Sequence, residues 1–245
     1  MTRHANSESS SHEKFKLIAA KPALLALSLG QSVIIGCALR LAFGGPPFAP
    51  PQWLSLLFFL GMCCFWFGCN NASKEIVKQR DILLAEFAVN LQLRSFVWAK
   101  VLVQSVIAMA QVLILLGTLR ALGVAWPAAW TLVGFLASAI AGVCLGLAIS
   151  GASDSVDQAA TLVPISIIPQ LLLSGIVTVY PTAFVETIAK IFVSGHWMGD
   201  VAAAAATQES SRSARDAAVL LLHAGVFVAG LSALLRQRLV QALRR

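Results

Sequence analysis

The sequence predicts an all-α integral membrane protein with six transmembrane helices. Hydrophobic residues make up 58% and charged residues 12% of the chain, and the mean hydropathy is +0.80, far from the averages of soluble proteins. Six apolar runs approach the roughly 20 residues that a helix needs to cross the hydrocarbon core. The runs lack the alternation of apolar and polar residues that a transmembrane β-barrel requires.

The predicted spans follow a short polar tail. Residues 1–16 are polar and rich in Ser, which is typical of a cytosolic tail without fixed structure, and residues 17–245 are predicted to form one membrane domain. The spans are predicted at about 17–43, 53–70, 96–119, 128–150, 158–179 and 216–235. The first run is too long for the apolar region of a signal peptide, so we interpret it as a retained span.

The positions of Lys and Arg predict the orientation, because cytosolic segments hold the excess of basic residues. With the N-terminus inside, all but five of the 18 basic residues fall on the cytosolic side; the five outer ones are Arg40, Arg120, Lys190, Arg212 and Arg215. Both termini are therefore expected in the cytosol, and the short tail favours a bacterial inner membrane. The net charge of +7 is largely this orientation signal and does not indicate a nucleic-acid partner.

The segment between the second and third spans is predicted to form one amphipathic helix, Lys74–Leu93. Its apolar residues recur at helical spacing on one stripe: Ile76, Leu83, Leu84, Phe87 and Leu91. Charged residues occupy the opposite face. Such a helix lies at the membrane surface, where it either anchors the loop or receives force from a soluble partner.

Small and polar residues mark the spans that pack together. The fourth span carries a ladder at four-residue spacing: Gly134, Ser138, Gly142, Gly146 and Ser150. Small residues let helix backbones approach closely in lipid, so this ladder is interpreted as a packing surface without chemistry. In the third span, Gln104 and Gln111 share a face and are expected to hydrogen-bond to neighbouring helices.

The fifth predicted span is irregular. Pro164 and Pro169 remove backbone donors and bend the helix, which is then expected to border a cavity or a moving interface, or to be kinked for packing alone. The long outer segment 180–215 that follows is predicted to hold short outer or re-entrant helices, since structureless loops of this length are uncommon.

Residues for catalysis or metal binding do not occur at usable spacing. His4 and His12 lie in the tail, and His196 and His223 lack Cys, Asp or Glu at ligand spacing; His223 is expected to be neutral and hydrogen-bonded. Four acidic residues are expected in loops: Asp154, Asp157, Glu186 and Asp200. Because the chain contains no Gly-Lys dipeptide, a phosphate-binding P-loop is excluded, and we predict neither enzymatic activity nor a bound cofactor or metal.

The order of motifs resembles the ABC-2 type permease domain of the ABCG (White) kind, especially its bacterial versions, over about residues 17–240. The motifs are Gly68-Cys69-Asn70-Asn71-Ala72, Lys74-Glu75-Ile76-Val77, Gln79-Arg80, Glu86, Asn90-Leu91, Lys100, Pro169-Gln170, Leu173-Ser174-Gly175 and Ser194-Gly195-His196-Trp197. The chain departs from the family pattern at two positions: Gln79 replaces a usual Glu, and Ala85 replaces the basic residue that usually precedes Glu86.

The resemblance implies a permease subunit of an ATP-binding cassette exporter for hydrophobic or amphiphilic substrates. ATP and Mg would be bound by a separate ATPase subunit, and a second permease copy, identical or not, would complete the transporter among membrane lipids. The resemblance places coupling to the ATPase at Glu75, Arg80, Asp81 and Glu86. It places the substrate cavity at Phe65, Gly68, Ile168 and Leu171.

Two other function classes remain open on the sequence alone. A proton-coupled secondary carrier would depend on an ionisable residue within the membrane, for which His223 is the candidate. A membrane scaffold or regulator without transport activity would tolerate bulky substitutions at Gly68.

Overall fold

The computed structural model describes residues 26–88 and 92–243. This part of the chain is helical and contains no β-strand, which confirms the predicted all-α class. The helices are α1 (Ala26–Phe43), α2 (Pro50–Ala72), α3 (Arg80–Ala88), α4 (Leu93–Ala121), α5 (Ala129–Ala152), α6 (Val156–Leu172), α7 (Ala183–Phe192), α8 (Ser194–Ala206) and α9 (Ser210–Leu243). The predicted tail 1–16, the start of the predicted first span and Leu91 lie outside the described residues.

Five helical stretches of the described chain are long and apolar enough to cross a membrane: α1, α2 with the segment after it, α4, α5 and α9. The fifth predicted span, 158–179, corresponds to α6, an apolar helix of 17 residues, and the sixth corresponds to α9. At a rise of about 1.5 Å per residue, α6 is about 26 Å long, a little less than a hydrocarbon core of about 30 Å. The prediction that this span extends to residue 179 is wrong, because the helix ends at Leu172 and Gly175 adopts a φ of +77°.

Helices α2 and α5 pack backbone to backbone at the centre of the protein. A Cβ atom at Gly142 would overlap the carbonyl oxygen of Phe65, and one at Gly146 would overlap that of Cys69. From the α2 side, a Cβ atom at Gly68 would overlap the carbonyl oxygen of Ala139. The small-residue ladder predicted on the fourth span is therefore confirmed as a packing surface, because only glycine allows this approach.

The segment between α6 and α9 contains the short helices that its length predicted. Helices α7 and α8 are joined by a sharp turn at Val193, and α8 returns against the end of α6. Gln170 of α6 accepts a hydrogen bond of 2.9 Å from the backbone N–H of Gly195 through Oε1. A Cβ atom at Gly195 would overlap the carbonyl oxygen of Gln170, so α6 and α8 also touch through their backbones.

The prediction of one continuous helix over Lys74–Leu93 is wrong. Helix α2 ends at Ala72, a turn and a 3-10 helix (Val77–Gln79) follow, and α3 has nine residues. The apolar stripe nevertheless contributes to the core, since Ile76 and Leu83 are buried. The chain changes direction here because a side chain of α5 binds two of its backbone N–H groups, as described next.

Candidate functional site at the α2–α4 connection

The connection between α2 and α4 is held against the last turn of α5. Ser150 accepts hydrogen bonds through Oγ from the backbone N–H groups of Ile76, at 2.9 Å, and Val77, at 3.0 Å. Ser150 is buried, so these bonds are shielded from water. One hydroxyl of α5 thus satisfies two donors at the point where the chain leaves helical geometry.

An ion-pair cluster joins the same connection to α9. The carboxylate oxygen Oδ1 of Asp154, in the turn between α5 and α6, lies 2.9 Å from Nη1 of Arg80 and 3.1 Å from Nη1 of Arg238. The hydrogen bond from Arg80 and the charge of Arg238 lower the pKa of Asp154 below its usual value. The cluster is exposed to solvent, which weakens each pair, but it connects three separate segments at one atom.

A second ion pair joins the connection to α4. Nζ of Lys100 lies 3.2 Å from Oε2 of Glu75, and both side chains are largely shielded from solvent. The connection therefore has polar contacts with α4, with the α5–α6 turn and, through Asp154, with α9.

The four predicted coupling residues divide into two pairs. Glu75 and Arg80 form the internal ion pairs described above, whereas Asp81 and Glu86 are exposed on α3. Ile82 lies between them in sequence and is 59% exposed. The exposed face of α3, defined here as Asp81, Ile82, Ala85 and Glu86, is accessible to another protein, as is Lys78 next to it. The sequence analysis missed Ile82, although an apolar residue outside the predicted stripe was a visible signal.

The four predicted cavity residues occupy different environments. Phe65 and Gly68 are buried in the interface with α5 and present no surface to a ligand in this conformation. Ile168 is 54% exposed on the outer surface of α6, and Leu171 is half-buried. Within a single chain, the structure does not bring these four side chains around one open cavity.

Polar side chains at the same end of the bundle link α1, α2 and α4. Gln111 donates through Nε2 to the carbonyl oxygen of Ser28 at 2.7 Å and accepts from Nδ2 of Asn71. Asn71 in turn accepts a bond of 3.4 Å from the Ser28 hydroxyl. The predicted interhelical bonding of Gln111 is confirmed. Gln104 is buried but makes no side-chain hydrogen bond within the described residues, so its predicted partner is not found there.

Comparison with known proteins identifies the kind of domain that carries this connection. A family model described as "ABC-2 type transporter" matches residues 10–196. The chain belongs to the ABC-2 type transporter family. The family model is that of the transmembrane component, and ABC-2 permease domains work with ATP-binding subunits. The ABC-2 resemblance stated from the sequence motifs is thereby confirmed.

A curated relative of this ABC-2 permease is the ABC transporter ATP-binding/permease protein of Mycobacterium tuberculosis. The two are 28% identical over 171 residues, which cover 66% of this chain and 19% of the relative. The chain thus spans about a fifth of the relative's length. The name of the relative assigns it both an ATP-binding and a permease part.

The two membrane-domain histidines of the ABC-2 permease each have a hydroxyl partner. Nδ1 of His223 lies 3.1 Å from the Ser194 hydroxyl, which confirms the predicted hydrogen bond. Nδ1 of His196 lies 2.8 Å from the Tyr180 hydroxyl, and its Nε2 lies 3.9 Å from Oδ2 of Asp200, too far for a hydrogen bond. The sequence analysis named neither Tyr180 nor Asp200 as a neighbour of His196. Burial lowers the pKa of His196, which favours its neutral form.

The acidic residues of the permease are also placed differently from expectation. Asp154 lies in a turn, as predicted, but Asp157, Glu186 and Asp200 lie in α6, α7 and α8 rather than in loops. Spacing of four residues within α8 explains why Asp200 reaches His196. In residues 26–88 and 92–243, no group of three or more His, Cys, Asp or Glu side chains is placed to hold a metal ion.

Proposed function

We propose that this chain is the permease subunit of an ATP-binding cassette exporter for hydrophobic or amphiphilic substrates, driven by a separate ATPase chain that binds ATP and Mg. The observation that carries the proposal is the exposed face of α3, which sits on a connection tied to α4, α5 and α9 in a domain of this family. The chain has no P-loop, so ATP would be bound outside these residues.

The proposed ATPase requires α3 to lie in the cytosol. Seven described basic residues lie at the end of the bundle that carries α3, here called the α3 end, and support this orientation: Lys74, Lys78, Arg80, Arg94, Lys100, Arg236 and Arg238. The opposite end holds Arg40, Arg120, Lys190, Arg212 and Arg215. An excess of basic residues at the α3 end is the pattern of a cytosolic side. In a bacterial inner membrane, this orientation would place both termini in the cytosol.

In the proposed mechanism, the ATPase contacts Asp81, Ile82 and Glu86, and the internal pairs of Glu75 and Arg80 carry the movement onward. This assigns the four predicted coupling residues to two tasks, contact and transmission. ATP binding and hydrolysis would then shift the populations of inward-open and outward-open states of a bistable assembly.

A second permease copy would complete the substrate cavity. The exposed apolar side of α6, with Ile165 and Ile168, faces away from the core and is the candidate surface for that copy or for lipid. Leu171 is at its edge. Phe65 and Gly68 would reach the cavity only in a state in which α2 and α5 separate.

The proposal is tested by isolation from native membranes in mild detergent, followed by identification and counting of the chains. We expect a P-loop ATPase and two permeases in the complex. In vesicles reconstituted with that ATPase, the double variant Asp81→Lys, Glu86→Lys is expected to abolish ATP-dependent transport. Glu186→Lys, which changes an exposed carboxylate on α7 at the opposite end, is the matched control. Transport by the permease without any ATPase would contradict the proposal and favour a proton-coupled carrier.

A further inference from the structure

A pocket lies at the end of the bundle opposite to α3. It has a volume of about 490 Å³ and is formed by the start of α2, the loop between α4 and α5, the end of α8 and the turn that leads into α9. Its volume is within the range of small-molecule sites, about 300–1,000 Å³. None of the predicted coupling or cavity residues lines it.

Aromatic rings form much of the pocket wall. Three of the six Trp residues of the chain line it: Trp53, Trp126 and Trp130. Trp53 stacks on Phe48 with ring centroids 5.6 Å apart, which restrains its orientation. Trp126 and Trp130 are each about half exposed, so their rings are accessible to a ligand.

The charge of the pocket is negative, in contrast to the chain as a whole. Glu209 lines it, and its described lining residues include no Lys or Arg, although the net charge of the protein is +7. Oε1 of Glu209 accepts a hydrogen bond of 3.0 Å from the Thr207 hydroxyl but forms no ion pair with a described residue.

The backbone next to this carboxylate closes α8 in a Schellman motif. Gln208, which also lines the pocket, has the φ of 61° that this helix end requires. The backbone N–H of Gln208 donates to the carbonyl oxygen of Ala205, and that of Glu209 donates to the carbonyl oxygen of Ala204. This helix end brings Glu209 to the wall of the pocket.

We propose that this pocket binds the cationic head group of an amphiphile, a quaternary or alkylated ammonium. The Trp rings attract a cation through their π faces, and Glu209 supplies the counter-charge. An anionic head group would instead face an unpaired carboxylate without any basic residue of the described lining to bind it. This inference does not depend on the proposed export function.

An ordinary belt of interfacial Trp residues is the competing explanation, since Trp is enriched where membranes meet water. A belt has no preference for the charge of a ligand and does not need Glu209. Binding in the proposed pocket, in contrast, requires a positively charged ligand and the carboxylate of Glu209. Charge selectivity and dependence on Glu209 therefore separate the two explanations.

The test is a Trp fluorescence titration of the whole protein in a neutral maltoside detergent. Decyltrimethylammonium is expected to quench the Trp fluorescence in a saturable manner. Decyl sulfate, which has the same chain length but a negative charge, is expected not to quench it. Glu209→Gln should weaken the affinity for the cation roughly two- to fivefold, as expected for loss of a solvent-exposed charged partner. The control variant Asp157→Asn, at an exposed carboxylate on α6 outside the pocket, should leave the affinity unchanged. Equal quenching by both amphiphiles, or unchanged affinity in Glu209→Gln, would overturn the proposal.

Two further measurements test which Trp residues give the signal and whether the bound head group belongs to a lipid. Trp98→Phe removes an exposed Trp at the α3 end and should leave the quenching intact, whereas Trp126→Phe, in the pocket wall, should reduce it. Competition by dihexanoylphosphatidylcholine would show that a lipid head group occupies the pocket. Absence of competition, with the cation still bound, would identify a cationic amphiphile other than this lipid.

Discussion

The Ser150 hydroxyl oxygen lies 2.9 Å from the backbone nitrogen of Ile76, across a gap of 74 residues in sequence. This contact, with its companion at Val77, ties the α2–α4 connection to the end of α5. It determines where the chain turns and which face of α3 remains exposed.

Replacement of Ser150 by Ala is expected to destabilise the protein by about 1–3 kcal/mol, because two backbone donors lose a buried acceptor. The measurement is thermal or denaturant unfolding in detergent. Ser153→Ala is the matched control: Ser153 is also buried at the end of α5, but its hydroxyl donates to the carbonyl oxygen of Ile149 within the same helix. Equal losses for the two variants would contradict a special role of Ser150.

Replacement of Asp154 by Asn is expected to lower the Tm slightly at neutral pH, since the contacts to Arg80 and Arg238 lose their charge. The pKa of Asp154 is lowered in the folded protein, so this stabilisation is present above the usual value of 3.8 and is lost as the pH falls below it. The difference in Tm between the two proteins should therefore shrink as the pH falls below 3.8. In a protein that carries Arg80→Gln and Arg238→Gln, Asp154→Asn should show no such pH-dependent difference, because both partners of the carboxylate are gone.

Replacement of Gly142 by Ala is expected to force α2 and α5 apart and to cost about 1–3 kcal/mol or more, because the added methyl group meets the backbone of Phe65. Unfolding in mixed micelles measures the loss. Gly225→Ala on α9 adds the same methyl group where no atom lies within 4 Å, and should be neutral or slightly stabilising. A neutral result at Gly142 would show that the two helices are not in backbone contact.

Replacement of Gln111 by Leu is expected to cost about 0.6–2 kcal/mol, because Ser28 and Asn71 lose their partner inside the membrane domain. Gln104→Leu removes an amide from the same face of α4 without a described hydrogen bond, and should cost less. A double-mutant cycle with Asn71→Leu measures the coupling energy directly. Additive losses in that cycle would show that Asn71 and Gln111 do not interact.

Local patterns in the sequence were sufficient for the long apolar helices and for the closely packed face of α5. Apolar runs indicated the spans, and the four-residue spacing of Gly142 and Gly146 indicated a face that packs closely. These features depend on neighbours within one or two helical turns. Composition and periodicity report such neighbours directly.

Contacts between distant segments were beyond the sequence analysis. The interruption of the Lys74–Leu93 pattern arises from Ser150, which spacing alone had assigned to packing. Glu75 and Arg80 were expected to face an ATPase, but Lys100 of α4 and Asp154 of the α5–α6 turn bind them. The pocket around Glu209 combines four separate segments, so no single stretch of sequence indicated it.

The backbone contact between α2 and α5 restricts the ways in which this protein can move. Sliding of one helix past the other would drive carbonyl oxygens into the Cα positions of Gly68, Gly142 and Gly146, so small gradual shifts along that interface are sterically blocked. A change between two conformations then either rotates α2 and α5 together as a single strut or separates them completely, as access of a substrate to Phe65 and Gly68 would require. The joints that permit such rotation are the loops at the two ends of the strut, not the long helices themselves.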